Sequence, residues 1–178
     1  PHLAESVIIE RTDLGQLFAA LQDRKYQLIG PTLRDGALGY EEVDCADDLP
    51  IGWIDEQEGG MYRLHRSGDE RVFGYTVGLH SWKKYLHPPV LRLWQAARKN
   101  GDSGGKFEII PEEREVPRYA FIGVRACELH AIQIQDKVFL EGAYVDQDYK
   151  ARRANAFIVA VNCGRAGNTC FCAVSYTH

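Results

Sequence analysis

The sequence has 178 residues, of which 45% are hydrophobic and 26% are charged, so it can bury the core of a globular domain. Its formal net charge is −4 and its lysines and arginines are dispersed, which argues against nucleic acid or an anionic membrane as a partner. No apolar run approaches the roughly 20 residues that cross a bilayer, and no leader-like segment opens the chain, so we expect a cytoplasmic protein.

The first half of the chain predicts one helix packed against short strands. Within residues 13–25, Leu14, Leu17, Phe18 and Leu21 recur at helical spacing. Runs of apolar and β-branched residues between turn sequences are typical of strands. We expect such strands at 7–9, at 27–31 and 37–43 around a turn at 34–36, and at 61–65 and 72–77 around a turn at 67–69.

The second half predicts a βαβ unit. A short helical segment over 80–86 should end at Pro88, and residues 90–97 and 106–110 are expected to form a hairpin. Continuous apolar runs over 119–124 and 157–161 predict strands covered on both faces, with a helix over 128–140 between them. Two strands connected in this way run parallel. The expected fold is therefore α/β, with a mixed sheet and a C-terminal βαβ unit.

The cysteines are concentrated at the end of the chain. Three of the five fall between Cys163 and Cys172, and an odd count without secretory features favours reduced thiols over a disulfide framework. Cys127 follows the first strand of the βαβ unit and Cys163 follows the second. Because the carboxyl ends of parallel strands open on one edge of a sheet, these two thiols are expected at a common rim.

Two further thiols are positioned to join that rim. Cys170 and Cys172 form a C-x-C pair, and residues i and i+2 of an extended chain point to the same side. Cys127 also lies near the start of its helix, where the helix dipole favours thiolate. Cys45 lies in an acidic turn and is interpreted as a bystander.

Four converging thiolates can hold either a tetrahedral zinc ion or one iron–sulfur cluster. Structural zinc sites usually use pairs separated by two to four residues, whereas the tight pair here is C-x-C and the first ligand is far upstream, which favours the cluster. Zinc and unligated buried thiols remain as alternatives. We therefore predict one cluster held by Cys127, Cys163, Cys170 and Cys172, and no catalytic residue.

Each of the other candidate residues near the thiols can be interpreted either as functional or as purely structural. His130 could be a substitute ligand and Arg125 could raise a cluster potential, but a helix-surface histidine and a solvated arginine are more common. Trp82 is expected to pack inward. Arg152 and Arg153 are expected to pair with Asp146 or Asp148 rather than to bind a cofactor.

Several segments also match a known family pattern. They are GPT over 30–32, DLPIGW over 48–53, GLHSWKKYL over 78–86, GVRACELHAI over 123–132, DKVFL over 136–140, VNC over 161–163 and TCFC over 169–172, together with Tyr149, Arg152 and Arg153. With these motifs the chain resembles the beta subunit of cytoplasmic nickel–iron sulfhydrogenases and its relative in anaerobic sulfite reductase, which are 4Fe-4S dicluster domain proteins. The resemblance covers nearly the whole sequence.

This resemblance implies an electron-transfer role. Such proteins have an N-terminal domain bearing a cluster, here one [4Fe-4S] cluster, followed by a ferredoxin-like domain with two more. They relay electrons from a flavin-containing NAD(P)H subunit to the catalytic subunit of a hydrogenase or reductase, or in the reverse direction. A structural Cys₄ zinc module that docks subunits and a flavin-binding reductase domain are the alternatives.

The sequence departs from the family pattern in two ways. The ferredoxin-like dicluster domain is missing, so we interpret residues 1–173 as the N-terminal cluster-bearing domain. The pattern is also lost after Cys172, and residues 174–178 resemble translated sequencing-adaptor DNA. We expect this tail to be foreign to the protein.

Overall fold

The structure, a computed structural model, describes residues 7–76, 81–99, 106–112 and 115–170. Within these ranges it contains four α-helices and eight β-strands. The helices are α1 Leu14–Asp23, α2 Lys83–Leu86, α3 Ala126–Leu140 and α4 Gln147–Ala154. The strands are β1 Gln27–Arg34, β2 Ala37–Glu42, β3 Trp53–Glu58, β4 Met61–Arg66, β5 Trp94–Lys99, β6 Lys106–Pro111, β7 Tyr119–Val124 and β8 Phe157–Ala160.

A four-stranded mixed sheet organises the chain, in the order β2-β1-β7-β8. β1 pairs antiparallel with β2 and parallel with β7, where Leu28 lies opposite Ala120. β7 pairs parallel with β8, where Phe121 lies opposite Ile158. The predicted α/β class, the mixed sheet and the C-terminal βαβ unit are confirmed.

The strand β7 is central because its sequence can be buried on both faces. Ala120, Phe121, Ile122 and Val124 are fully buried. Since successive strand residues point to opposite faces, Ile29 and Phe121 pack into one core cluster with Trp82. Leu28, Ala120 and Ile122 pack into the other cluster, against Phe18 and Leu21 of α1. Each large apolar side chain buried here stabilises the fold by about 1.5–3 kcal/mol.

Two elements were not predicted from the sequence. β3 pairs with β4 in an antiparallel hairpin, so residues 61–65 have a different partner from the predicted 72–77. The turn at Gly59 and Gly60, where Gly60 has φ +77, closes this hairpin. α4 is a short polar helix whose one fully buried residue is Tyr149, and Asp146 caps it by accepting a hydrogen bond from the Tyr149 N–H.

Two predicted strands are wrong in the described residues. Residues 7–9 form no strand, and Ile8 is 95% exposed because no neighbouring strand pairs with this segment. Residues 72–76 also form no strand, since side chains from other elements bind their backbone groups. Val77 and His80, at the ends of two predicted elements, lie outside the described residues.

The remaining predicted elements agree with the structure in kind, except that β8, which was predicted to be covered on both faces, contains no fully buried residue. The helix expected over 13–25 is α1, and the turn that joins β1 to β2 has the predicted position. The hairpin of β5 and β6 is present, but it begins at Trp94 rather than at residue 90. Trp82 packs inward, as predicted. No helix in the described ranges has both the length and the apolar character needed to cross a membrane.

Candidate thiol site at the carboxyl edge of the sheet

The strands β7 and β8 bring two thiol-bearing segments to one edge of the sheet. Their parallel register pairs Val124 with Ala160. One step further, the Val161 N–H donates to the Val124 carbonyl at 2.8 Å. The chain therefore leaves both strands at the same edge, with Cys127 just beyond β7 and Cys163 just beyond β8.

Cys127 occupies the first turn of α3, where it is partly buried. It lines a cavity of about 250 Å³ together with Ser81, Trp82, Glu128, Ala131, Ile132 and Gln135. Most of this wall is apolar, and Trp82 is fully buried. Cys127 therefore borders a half-open pocket whose wall is largely apolar.

Cys163 is exposed, and its sulfur contacts a buried cation. The Sγ atom accepts a hydrogen bond from Arg125 Nη1 at 3.2 Å and donates one to the Arg165 carbonyl at 3.0 Å. Arg125 is only 2% exposed. The expectation that Arg125 is a solvated arginine is therefore wrong, because its guanidinium group lies inside the fold beside a thiol.

Backbone carbonyl groups hold the Arg125 side chain inside the fold. Its Nη2 atom donates to the Phe73 carbonyl at 3.3 Å and to the Tyr75 carbonyl. Its Cζ atom lies 5.2 Å from the centroid of the buried Tyr75 ring, in a cation–π contact. The segment that was predicted as a strand thus supplies acceptors to Arg125 instead of to a neighbouring strand.

Glu128 fixes the start of α3 from within the core. Its Oε2 atom accepts the backbone N–H of Arg125 at 2.9 Å, and its Oε1 atom accepts the hydroxyl of Tyr40. Burial raises the pKa of the Glu128 carboxyl, and the hydrogen bond from Tyr40 opposes this rise. Burial likewise raises the pKa of Tyr40, so its hydroxyl stays protonated and donates. The turn between β7 and α3 is consequently tied to β2.

Residues 163–170, here named the thiol loop, follow β8 and carry Cys163 and Cys170. The Gly167 N–H donates to Cys170 Sγ at 3.2 Å, and the Cys170 N–H donates to the Gly167 carbonyl at 3.0 Å. Gly167 lies against Thr76, since a Cβ atom at Gly167 would be 3.0 Å from Thr76 Cγ2. Thr169 Oγ1 donates to Gln57 Oε1 at 2.7 Å. These contacts place the loop against β3 and residue 76.

Asp55 organises the surface on which the thiol loop lies. It is 1% exposed, and its carboxylate accepts hydrogen bonds from the backbone N–H and the hydroxyl of Thr76. It also accepts a hydrogen bond from Gln57 Nε2 at 2.6 Å. This network was not predicted from the sequence. The sequence gives no signal for it, because β3 itself was not predicted.

The described residues do not assemble a complete ligand set. They contain no group of three or more His, Cys, Asp or Glu side chains that could hold a metal ion. Cys172, the fourth predicted ligand, lies outside them. His130 is exposed on α3, which agrees with the interpretation of a helix-surface histidine. Cys45 is exposed at the start of a 3₁₀ turn.

The predicted partners of Arg152 and Arg153 need one correction. Arg153 Nε pairs with both carboxylate oxygens of Asp136 in α3, at 3.1 Å each. Tyr149 also donates to Asp136, at 2.7 Å. This pair joins α4 to α3, so Arg153 has a structural partner that was not predicted from the sequence.

These features define an α/β protein with thiols at the carboxyl edge of a mixed sheet. Comparison with known proteins refines this class. The chain is 42% identical over 149 residues to the sulfhydrogenase 2 subunit beta of Pyrococcus furiosus. The similarity lends no support to the sulfite reductase part of the resemblance.

The aligned region is a much larger share of this chain than of its relative. It covers 82% of this chain but 34% of the relative, so the chain spans about a third of the length of the curated relative it matches. No family model matches the sequence. No solved structure matches it either.

Proposed function

We propose that this chain is the cluster-bearing N-terminal part of an electron-transfer subunit of a hydrogenase complex. In this proposal, residues 1–173 form the domain, and Cys127, Cys163, Cys170 and Cys172 hold one [4Fe-4S] cluster. The observation that carries it is the shared edge of β7 and β8, from which the segments bearing Cys127 and Cys163 both leave the sheet. The similarity to a sulfhydrogenase beta subunit supports the same function.

The described thiols fit an iron–sulfur cluster in their donor chemistry. Cluster sulfurs are typically stabilised by N–H donors, and Cys163 and Cys170 each accept one, from Arg125 and from Gly167. Both thiols are exposed on a loop rather than buried as unligated core residues. Cys172 would complete the set.

The cluster would supply single-electron transfer when bound, and the chain itself would perform no bond chemistry. Trp82 and Ile132 give the pocket beside Cys127 an apolar wall, and Arg125 orients Cys163 through its hydrogen bond to the sulfur. Exchange partners would be a flavin-containing NAD(P)H subunit on one side and a catalytic hydrogenase subunit on the other.

Elemental analysis and absorption of the anaerobically purified chain test the cofactor. We expect about four iron and four sulfide per chain, with a broad visible band that dithionite bleaches. A colourless protein with stoichiometric zinc would instead identify a structural module. Resolved yellow peaks would identify a flavin domain.

A matched pair of cysteine variants tests the ligands. Cys163→Ser should abolish iron retention, because serine does not replace a cluster thiolate at the edge of β8. Cys45→Ser is the control, since Cys45 is also exposed but lies in the acidic turn before β3. Equal iron contents in the two variants, measured after anaerobic purification, would refute the ligand assignment.

A further inference from the structure

Arg125 brings a permanent positive charge into the interior beside the thiols. Its guanidinium group stays protonated in proteins and has no acceptor of its own. The side chain is 2% exposed and donates to two carbonyl oxygens and to Cys163 Sγ. The two carbonyl groups accept hydrogen bonds from Nη2, but they do not neutralise the charge.

No described carboxylate forms an ion pair with this guanidinium group. Within the described ranges, no Asp or Glu oxygen lies within 4.0 Å of its nitrogen atoms. Glu128 accepts the backbone N–H of Arg125 at 2.9 Å and interacts with the charge of Arg125, but it makes no ion pair with the guanidinium group. A buried charge is costly unless an opposite charge compensates it, and the Cys163 sulfur is in direct contact with this guanidinium group, at 3.2 Å.

A second arginine, Arg165, lies in the thiol loop. Arg165 follows Cys163 by two residues, and its carbonyl accepts the Cys163 thiol. Its Nη1 atom is buried and has no hydrogen-bond partner among the described residues.

We propose that Arg125 is the counter-charge of the cluster and raises its reduction potential. This inference depends on the function proposed above. Reduction adds one electron, and so one negative charge, to a cluster that four thiolates already make anionic. A buried cation that donates to Cys163 Sγ stabilises the reduced form more than the oxidised form, because net charge and hydrogen bonds to sulfur set the potential. Arg125 is thus a positioning residue with an electrostatic effect.

The test is a redox titration of the full chain, loaded anaerobically and followed by visible absorption with dithionite as the reductant. Arg125→Gln removes the charge and should shift the midpoint potential to more negative values. Arg125→Lys keeps a cation and should remain closer to the unsubstituted chain than Arg125→Gln does. A purely structural role would shift the two variants equally.

Arg118→Gln is the matched control, because Arg118 precedes β7 at the opposite end and stacks on Tyr26 with 4.5 Å between Cζ and the ring centroid. Its potential should match that of the unsubstituted chain. An unchanged potential in loaded Arg125→Gln would overturn this inference alone. If Arg125→Lys binds the cluster and Arg125→Gln does not, the result would support the electrostatic role of Arg125. If neither variant binds the cluster, the result would overturn it. An unsubstituted chain without iron would overturn the proposed function as well.

Discussion

The turn between β7 and α3 and the thiol loop after β8 lie at the same edge of the sheet, but they are held in different ways. In the turn, Arg125 and Glu128 are buried and bind groups from residues 40, 73 and 75. In the thiol loop, Cys163 and Cys170 are exposed. The loop contacts the rest of the fold through a few polar bonds and the close approach of Gly167 to Thr76.

This difference indicates which half of the site forms when the chain folds. The turn is part of the core, so it adopts its geometry when the domain folds. A loop with few buried apolar contacts has low local stability. A ligand that binds the folded loop would add stability through linkage. Substitutions on the turn side should therefore reduce global stability, whereas those on the loop side should mainly affect loop order and cluster retention.

The largest expected loss of stability is from Gly123→Ala, near the end of β7 and just before the turn to α3. Gly123 has φ +89, and a Cβ atom there would lie 2.7 Å from Phe73 Cε1. Backbone strain and overpacking together should cost about 4 kcal/mol of the free energy of unfolding, measured by denaturant titration.

The control for this substitution is Gly36→Ala. Gly36 has φ +76 in the turn between β1 and β2, but no atom lies within 4 Å of its Cβ position. This variant should therefore lose stability through backbone strain only. An equal loss of stability in the two variants would show that contact with Phe73 contributes nothing. The turn side of the site would then not be the tightly packed side, and the proposed difference from the thiol loop would fail.

A smaller effect is expected from Asp55→Ala, beneath the thiol loop. The substitution leaves the Thr76 N–H, the Thr76 hydroxyl and Gln57 Nε2 without their shared acceptor. We expect a loss of about 2–3 kcal/mol in the free energy of unfolding, because buried donors without partners are costly. Denaturant titration of this variant and of Gly123→Ala should show the larger loss of unfolding free energy in Gly123→Ala.

Asp69→Ala is the control for that substitution. Asp69 also accepts several hydrogen bonds, from Arg71 and Ser67, but it lies in an exposed turn after β4. Its loss should be much smaller, since water can replace the missing acceptor. A loss from Asp69→Ala as large as that from Asp55→Ala would contradict the role assigned to burial.

The sequence predicts the βαβ unit because its strands are continuous apolar runs, but it hides the hairpin of β3 and β4. The buried residue at the centre of β3 is Asp55, a carboxylate, so an apolar pattern does not reveal the strand. Residues 72–76 are apolar enough to resemble a strand, yet Arg125 and Asp55 bind their backbone groups. Those partners lie about 20 to 50 residues away in sequence, and local patterns contain no such information.

The same limit applies to the site. The common edge for the segments bearing Cys127 and Cys163 follows from strand order, which the sequence indicates. The burial of Arg125 does not, since it requires the carbonyl groups of Phe73 and Tyr75. Arginine is usually exposed, so composition and periodicity favour the wrong environment for this residue.

The smallest expected effect on global stability is from Thr169→Val, in the thiol loop. It removes the hydrogen bond from Thr169 Oγ1 to Gln57 Oε1, an exposed contact worth at most about 1 kcal/mol. Amide hydrogen exchange should nevertheless become faster across residues 164–170, while protection of β7 is unchanged. Thr169→Ser keeps the hydroxyl and should exchange like the unsubstituted chain. If Thr169→Val also exchanged at that rate, this hydrogen bond would not order the loop, and the contact between Arg125 and Cys163 would be the stronger restraint on it.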